Sequence, residues 1–206
     1  MPLLRSLPEN ATLLDLRQMY ADLLEKLRPY GHRLMRGRSP LTPGERELIA
    51  AYVSGVNSCR YCFGAHSRVA EAFGADENVL SGLLDDIDAA PVEARLKPLL
   101  RYVRKLTQTP NRMTPDDAKA VYDAGWSDEA LLHAVAVCAY FNNMNRLVEG
   151  CGIVGTAEGY DLAAKQLFEH GYRRRRSAQP RQRSRAQRAR AAAAGRNNGK
   201  NRTVPH

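Results

Sequence analysis

Two places in this 206-residue chain carry the same punctuation, Thr42-Pro43 and Thr114-Pro115. A threonine can accept hydrogen bonds from the free N–H groups of a first helical turn. A proline just after it gives up an N–H that has no partner there anyway. In Thr42-Pro43-Gly44-Glu45 the acid three residues on completes a capping box, so a helix is expected from there to about Val56. Ser127 opens a long apolar helix, ALLHAVAVCAYFNNMNRLVEG, with Gly150 as its expected stop. Leu96, Leu99, Leu100, Val103 and Leu106 repeat at helical spacing after Pro91, as do Leu13, Leu16, Tyr20, Leu23, Leu24 and Leu27 near the start. Pro29, Gly31, Gly37 and Pro40 read as a loop after that first stripe. Nowhere do apolar and polar residues alternate between turn signals, so the fold class expected is all-α.

Charge divides the chain in two. Of its 31 Lys and Arg, twelve fall in residues 173–206, which hold no Asp or Glu; residues 1–172 carry the other 19 against 22 acids. The terminal stretch has almost no large apolar side chain, and disorder is expected of it because burial cannot offset the entropy of ordering. The expected division is therefore a helical domain over 1–172 and an arginine-rich tail over 173–206. Nucleic acid is a possible partner through this basic tail only, and a solvated appendage with no selected partner is the alternative reading. The opening MPLLRSLPEN has too short an apolar run for a secretory signal, and no stretch reaches the roughly 20 residues of a membrane span. A cytoplasmic location without membrane association is expected, and there a close cysteine pair points to metal or redox work.

That pair lies in NSCRYCFGAH, residues 57–66. Covalent haem attachment would need a histidine directly after the second cysteine, where Phe63 stands. A thioredoxin-type motif belongs among strands. Cys138 and Cys151 are thirteen apart and form no second zinc knuckle, although a mixed site of Cys59, Cys62, His66 and a distant ligand stays open. The remaining reading is a redox dithiol near a helix start capped by Asn57 or Ser58, where free N–H groups and the helix dipole favour a thiolate. Cys62 and His66 are four apart and share a helix face. Glu47, on the preceding helix beside Ala50, Ala51 and Ser54, can orient the imidazole, although its spacing alone favours a solvated helix acid.

Glu47, eleven residues, Cys59-x-x-Cys62, three residues and His66 together form the pattern E-x11-C-x-x-C-x3-H. It resembles that of the alkylhydroperoxidase D-like proteins of the carboxymuconolactone decarboxylase superfamily. LTPGERELIAAYVSGVNSCRYCFGAH and FNNMNRLVEG are similar to its peroxidase-related branch. The resemblance covers most of residues 10–160. It implies an alkylhydroperoxidase D-like helical bundle, assembled as a homotrimer or homohexamer, that reduces hydroperoxides without a cofactor or metal. It further implies Cys62 as the peroxide-attacking thiol, Cys59 as its disulfide partner, and His66 and Glu47 as the proton relay. A dithiol reductant of lipoyl or thioredoxin type is implied as the electron donor. Where the best-known members have a histidine before the second cysteine this chain has Tyr61, a poor base near neutral pH, which leaves the relay to Glu47 and His66. The decarboxylase branch lacks the cysteine pair, so decarboxylation is not expected.

Other residues have plainer expectations. Cys138 and His133 read as core residues of the long helix and Trp126 as a packing anchor. Asn142, Asn143, Asn145 and Arg146 are unusually polar for a helix end, and would either satisfy buried groups and subunit contacts or border the dithiol. Cys151 belongs to no motif.

Overall fold

The computed structural model describes residues 2–173. The expected arginine-rich tail lies outside the described residues, apart from Arg173. Among those described there are ten α-helices and one short 3-10 turn, and no strand, as the sequence pattern requires.

The N-terminal stripe departs from expectation. It forms three pieces, α1 (Leu13–Met19), α2 (Ala21–Leu24) and α3 (Leu27–Arg36). One continuous helix would set Leu16 and Leu24 about 80° apart around its axis. The break at Tyr20, which leaves the helical conformation, lets both enter one apolar cluster. The loop expected around Pro29 and Gly31 is instead α3. Pro29 occupies the first turn, where its missing N–H breaks no bond. Gly31 is there for room, because a Cβ would stand 2.5 Å from the Tyr140 hydroxyl.

The long central helix α4 (Pro43–Val56) begins with the expected capping box between Thr42 and Glu45. From Arg46 to Ser54 it is buried on every side, so its apolar run needs no alternation. Arg46 is buried too. Its Nη1 donates to the carbonyls of Leu34 (2.8 Å) and Gly37 (3.0 Å), holding the end of α3 against the start of α4.

A tight three-residue turn leads into α5 (Arg60–Ala72), which forms a helical hairpin with α4. Then follow α6 (Val79–Asp85), α7 (Leu96–Gln108), α8 (Pro115–Asp123), α9 (Asp128–Cys151) and α10 (Ala157–His170). Helices α7 and α9 pack on α4, and α10 packs on α5. The Thr114 and Ser127 starts of α8 and α9 occur as expected. The stop of α9 is Gly152, not Gly150. Gly152 takes the left-handed conformation (φ 67°) that ends the helix, whereas Gly150 remains helical. Trp126 is the expected anchor: its Nε1 donates to the Arg95 carbonyl at 2.7 Å, and the Arg95 guanidinium lies 4.3 Å over its ring. No helix among the described residues is long and apolar enough to cross a membrane.

Candidate functional site

The turn between α4 and α5 sets the cysteine pair. Asn57 N–H donates to the Val53 carbonyl, Ser58 N–H to Gly55 and Cys59 N–H to Ser54, so three successive amides close back on α4. Ser58 takes a positive φ of 56°, a conformation most side chains avoid. The N-cap differs from expectation: it is Cys59 itself, extended just before the first turn, with Cys62 as the third helical residue. Asn57 is diverted from capping because its side-chain amide donates to Asn142 Oδ1 (3.1 Å) and Asn145 Oδ1 (2.9 Å) on α9.

Both thiols are free and buried, Cys59 at 0% and Cys62 at 4% exposure. They lie in an apolar cluster with Leu7, Ala11, Leu16, Leu24, Val148 and Ile153. Their proton affinities are pushed apart. A hydrogen bond from the Cys59 thiol holds Cys62 below the ordinary thiol range, against the opposing effect of burial, with further help from His66 and the Asn145 amide. The same bond to Cys62, then burial, drives Cys59 well above that range. In such a pair Cys62 is the thiol that gives up its proton more readily and Cys59 the one that keeps it.

Glu47 is not the solvated acid that its spacing allowed; it is fully buried. Its Oε2 lies 2.7 Å from His66 Nδ1 and its Oε1 2.7 Å from Arg36 Nη1. Burial alone would raise its pKa, but His66 and Arg36 outweigh that and hold the carboxyl below its usual range. With Nδ1–H committed to the carboxylate, the other ring nitrogen of His66 carries the free lone pair. The imidazole is held between the edge contact of Phe141 (4.6 Å between centroids) and the parallel ring of Tyr172 (6.1 Å).

The structure thus brings Glu47, Cys59, Cys62 and His66 together, and adds four residues that sequence reasoning missed or left undecided. Arg36 falls in the stretch read as loop. Tyr172 directly precedes the arginine run, where no apolar period marks it; its hydroxyl donates to Glu47 Oε1 at 3.1 Å. Phe141 lies within a helix whose apolar residues all look alike in sequence. Asn145 does both things expected of its cluster: it is buried, its Nδ2 donates to Ser54 Oγ at 3.0 Å, and it borders Cys62. Asn143 and Arg146 are exposed.

Tyr61 is half-buried, edge-on to the Tyr160 ring at 6.0 Å, and burial raises its pKa, so it stays a phenol at neutral pH. His133 is away from the pair, its Nε2–H donating to the Leu34 carbonyl at 2.8 Å. Cys138 is a core thiol bonded to Thr107 and Val103. Cys151 is half-buried at the end of α9 and packs against the apolar cluster around the cysteine pair. Among the described residues no group of three His, Cys, Asp or Glu is gathered to hold a metal.

Among the described residues, an all-helical body with a buried dithiol beside a carboxylate–imidazole pair defines a class of thiol-bearing helical proteins, and comparison with known proteins narrows it. Residues 21–101, which include all four of these residues, match the carboxymuconolactone decarboxylase family. The crystal structure of an uncharacterized peroxidase-related protein from Silicibacter sp. TM1040 superposes with a TM-score of 0.66 at 26% identity, over 72% of this chain and 78% of that one. An uncharacterized peroxidase-related protein from Ralstonia eutropha JMP134, described as an alkylhydroperoxidase AhpD core, shares the fold. Its TM-score is 0.66 at 23% identity, over the same shares of the two chains. Sestrin-1 of Xenopus laevis is 26% identical over 148 residues, 70% of this chain; the match spans 29% of that relative's length. Residues 21–101 are thus similar to the carboxymuconolactone decarboxylase family, and the described helices share the fold of peroxidase-related, alkylhydroperoxidase D-like proteins.

Proposed function

We propose that the protein is a thiol peroxidase of antioxidant type that reduces alkyl hydroperoxides. One observation carries the reading: a buried Glu47–His66 pair (2.7 Å) stands beside two thiols whose proton affinities are driven in opposite directions. The Cys62 thiolate attacks one peroxide oxygen and the O–O bond breaks. The departing alkoxide takes a proton from the His66 imidazolium, giving the alcohol and a Cys62 sulfenic acid. Cys59 then attacks that sulfur; its proton and the sulfenic hydroxyl leave as water, and a Cys59–Cys62 disulfide remains. An external dithiol of lipoyl or thioredoxin type returns two electrons and two protons. The apolar side chains of Leu7, Leu16, Leu24 and Ile153 packed around the thiols support an organic hydroperoxide over hydrogen peroxide as substrate.

The test is steady-state turnover of cumene hydroperoxide by the full chain with dihydrolipoamide, against the Cys62→Ser variant. Turnover that needs Cys62 is expected, and equal rates in the two proteins refute the reading. The near-complete burial of both thiols favours a second reading, a redox sensor that oxidises once and is not recycled. That protein would form the disulfide yet show no sustained turnover.

A further inference from the structure

We propose that Tyr172 is a positioning residue of the thiol site, its phenol sharing the Glu47 carboxylate with His66 and so setting how strongly that carboxylate draws the imidazole proton. The inference rests on the dithiol reading above and concerns the same site.

The geometry is that of a strap closing over the relay. After α10, Gly171 adopts φ 61° and passes so close to α3 that a Cβ would stand 2.9 Å from the side chains of Arg36 and His32. Basic side chains of α3 hold this segment. Arg28 Nε donates to the Tyr172 carbonyl at 2.9 Å and its Nη2 to the Arg173 carbonyl at 3.0 Å, while Arg36 Nη2 donates to Leu167 at 3.0 Å. Arg173 Nε in turn donates to His32 Nε2 at 2.8 Å. These contacts fix the backbone and aim the Tyr172 ring inward, where it is 6% exposed. Its hydroxyl reaches Glu47 Oε1 at 3.1 Å and Oε2 at 3.3 Å, and lies 3.4 Å from His66 Nδ1. The ring stacks parallel to the imidazole, within 9°. Burial, then the Glu47 charge, holds the phenol's pKa well above its ordinary value, so it remains a donor throughout the working range.

Glu47 therefore spreads its charge over three donors, Arg36, His66 and Tyr172. Removing the phenolic O–H leaves more of that charge on His66 Nδ1–H, so the ring takes the Cys62 proton more readily. Removing the charge altogether does the reverse. The other titratable groups facing Cys62 are Cys59 and Tyr61 from its own segment and Glu149 and Tyr140 from α9; both changes leave these side chains in place, and Tyr140 among them also interacts with Tyr172.

The experiment is the pH profile of Cys62 alkylation by iodoacetamide in the full chain carrying Cys59→Ser, a readout that needs no peroxide turnover. Loss of peroxidase activity therefore leaves the test intact. Tyr172→Phe is expected to move the midpoint to lower pH, giving about threefold faster alkylation one pH unit below the parent's midpoint. Glu47→Gln is expected to move it to higher pH. Opposite signs support the proposal. A folded Tyr172→Phe protein whose midpoint is unchanged or rises, the direction of Glu47→Gln, overturns it, because loosened packing alone moves both variants the same way. Should Tyr172→Phe not fold, the parent protein serves. The 13Cζ resonance of Tyr172, assigned through its backbone, is expected to step at the alkylation midpoint, and a flat titration overturns the proposal.

Discussion

Replacing Glu47 by glutamine keeps the side chain's size and removes one negative charge from a fully buried position. Its consequences follow from three contacts: Arg36 at 2.7 Å, His66 at 2.7 Å and Tyr172 at 3.1 Å. The amide must turn its oxygen toward the Arg36 guanidinium, so its NH2 faces His66 Nδ1. An amide donor there makes Nδ1 the acceptor and places the ring proton on Nε2, which can no longer take the Cys62 proton. Loss of such a base slows a proton-coupled step by about 10²–10⁴. Removing one partner of a buried ion pair costs about 3–5 kcal/mol. The lower end applies here, since Arg36 keeps its bonds to the Met35 and Leu167 carbonyls. The pH dependence has a definite sign. Because the folded carboxyl lies below its ordinary range, its stabilisation is present above about pH 4.3 and is lost as pH falls through the lower folded value. Wild type and Glu47→Gln should therefore differ most in urea denaturation at neutral pH and converge below about pH 4. Stopped-flow reaction of the reduced proteins with cumene hydroperoxide at pH 7 measures the rate. A folded Glu47→Gln protein that reacts within about threefold of wild type would refute the assignment of Glu47 and His66 as the relay.

Two further expectations are independent of the chemistry. Ser58 holds a positive φ of 56° with its side chain exposed, so Ser58→Gly should stabilise the protein by about 0.5–1 kcal/mol in urea denaturation; a loss of stability would contradict the strain argument. The family resemblance underlies the proposal of a trimer or hexamer, and Leu14, Leu23, Leu132 and Leu162, all more than half exposed, are available to its contacts. Light scattering of the full chain at micromolar concentration should give a closed oligomer, and a monomer would count against it.

The helices with written starts were legible in the sequence: the Thr42, Thr114 and Ser127 caps are where the chain turns into α4, α8 and α9. Legible too was the grouping of Cys59, Cys62 and His66, because their spacing is local, whereas Glu47 was singled out only by the family resemblance. Cys59, Cys62 and His66 occupy a single helix and its cap, and Glu47 lies one tight turn away. What failed depends on tertiary packing. Proline and glycine at 29 and 31 look like loop residues until Tyr140 is known to press on α3. Asn57 looks like a cap until α9 offers it Asn142 and Asn145. Arg36 and Tyr172 reach Glu47 from 11 and 125 residues away in sequence, distances at which no periodicity links them. Burial of Glu47 follows from the same contacts: an acid is tolerated there because its donors arrive from α3, α5 and the C-terminal segment together.

The central claim is the division of labour between Cys62 and Cys59, and single-turnover oxidation tests it most directly. Reduced wild type, Cys62→Ser and Cys59→Ser are each mixed with one equivalent of cumene hydroperoxide, then quenched for thiol counting and dimedone trapping. The account predicts that wild type loses two thiols to a disulfide. Cys59→Ser should lose one and trap as a Cys62 sulfenic acid, and Cys62→Ser should not react on the same timescale. Fast reaction of Cys62→Ser together with an inert Cys59→Ser would contradict it, since the more deeply buried, proton-donating thiol would then be the nucleophile.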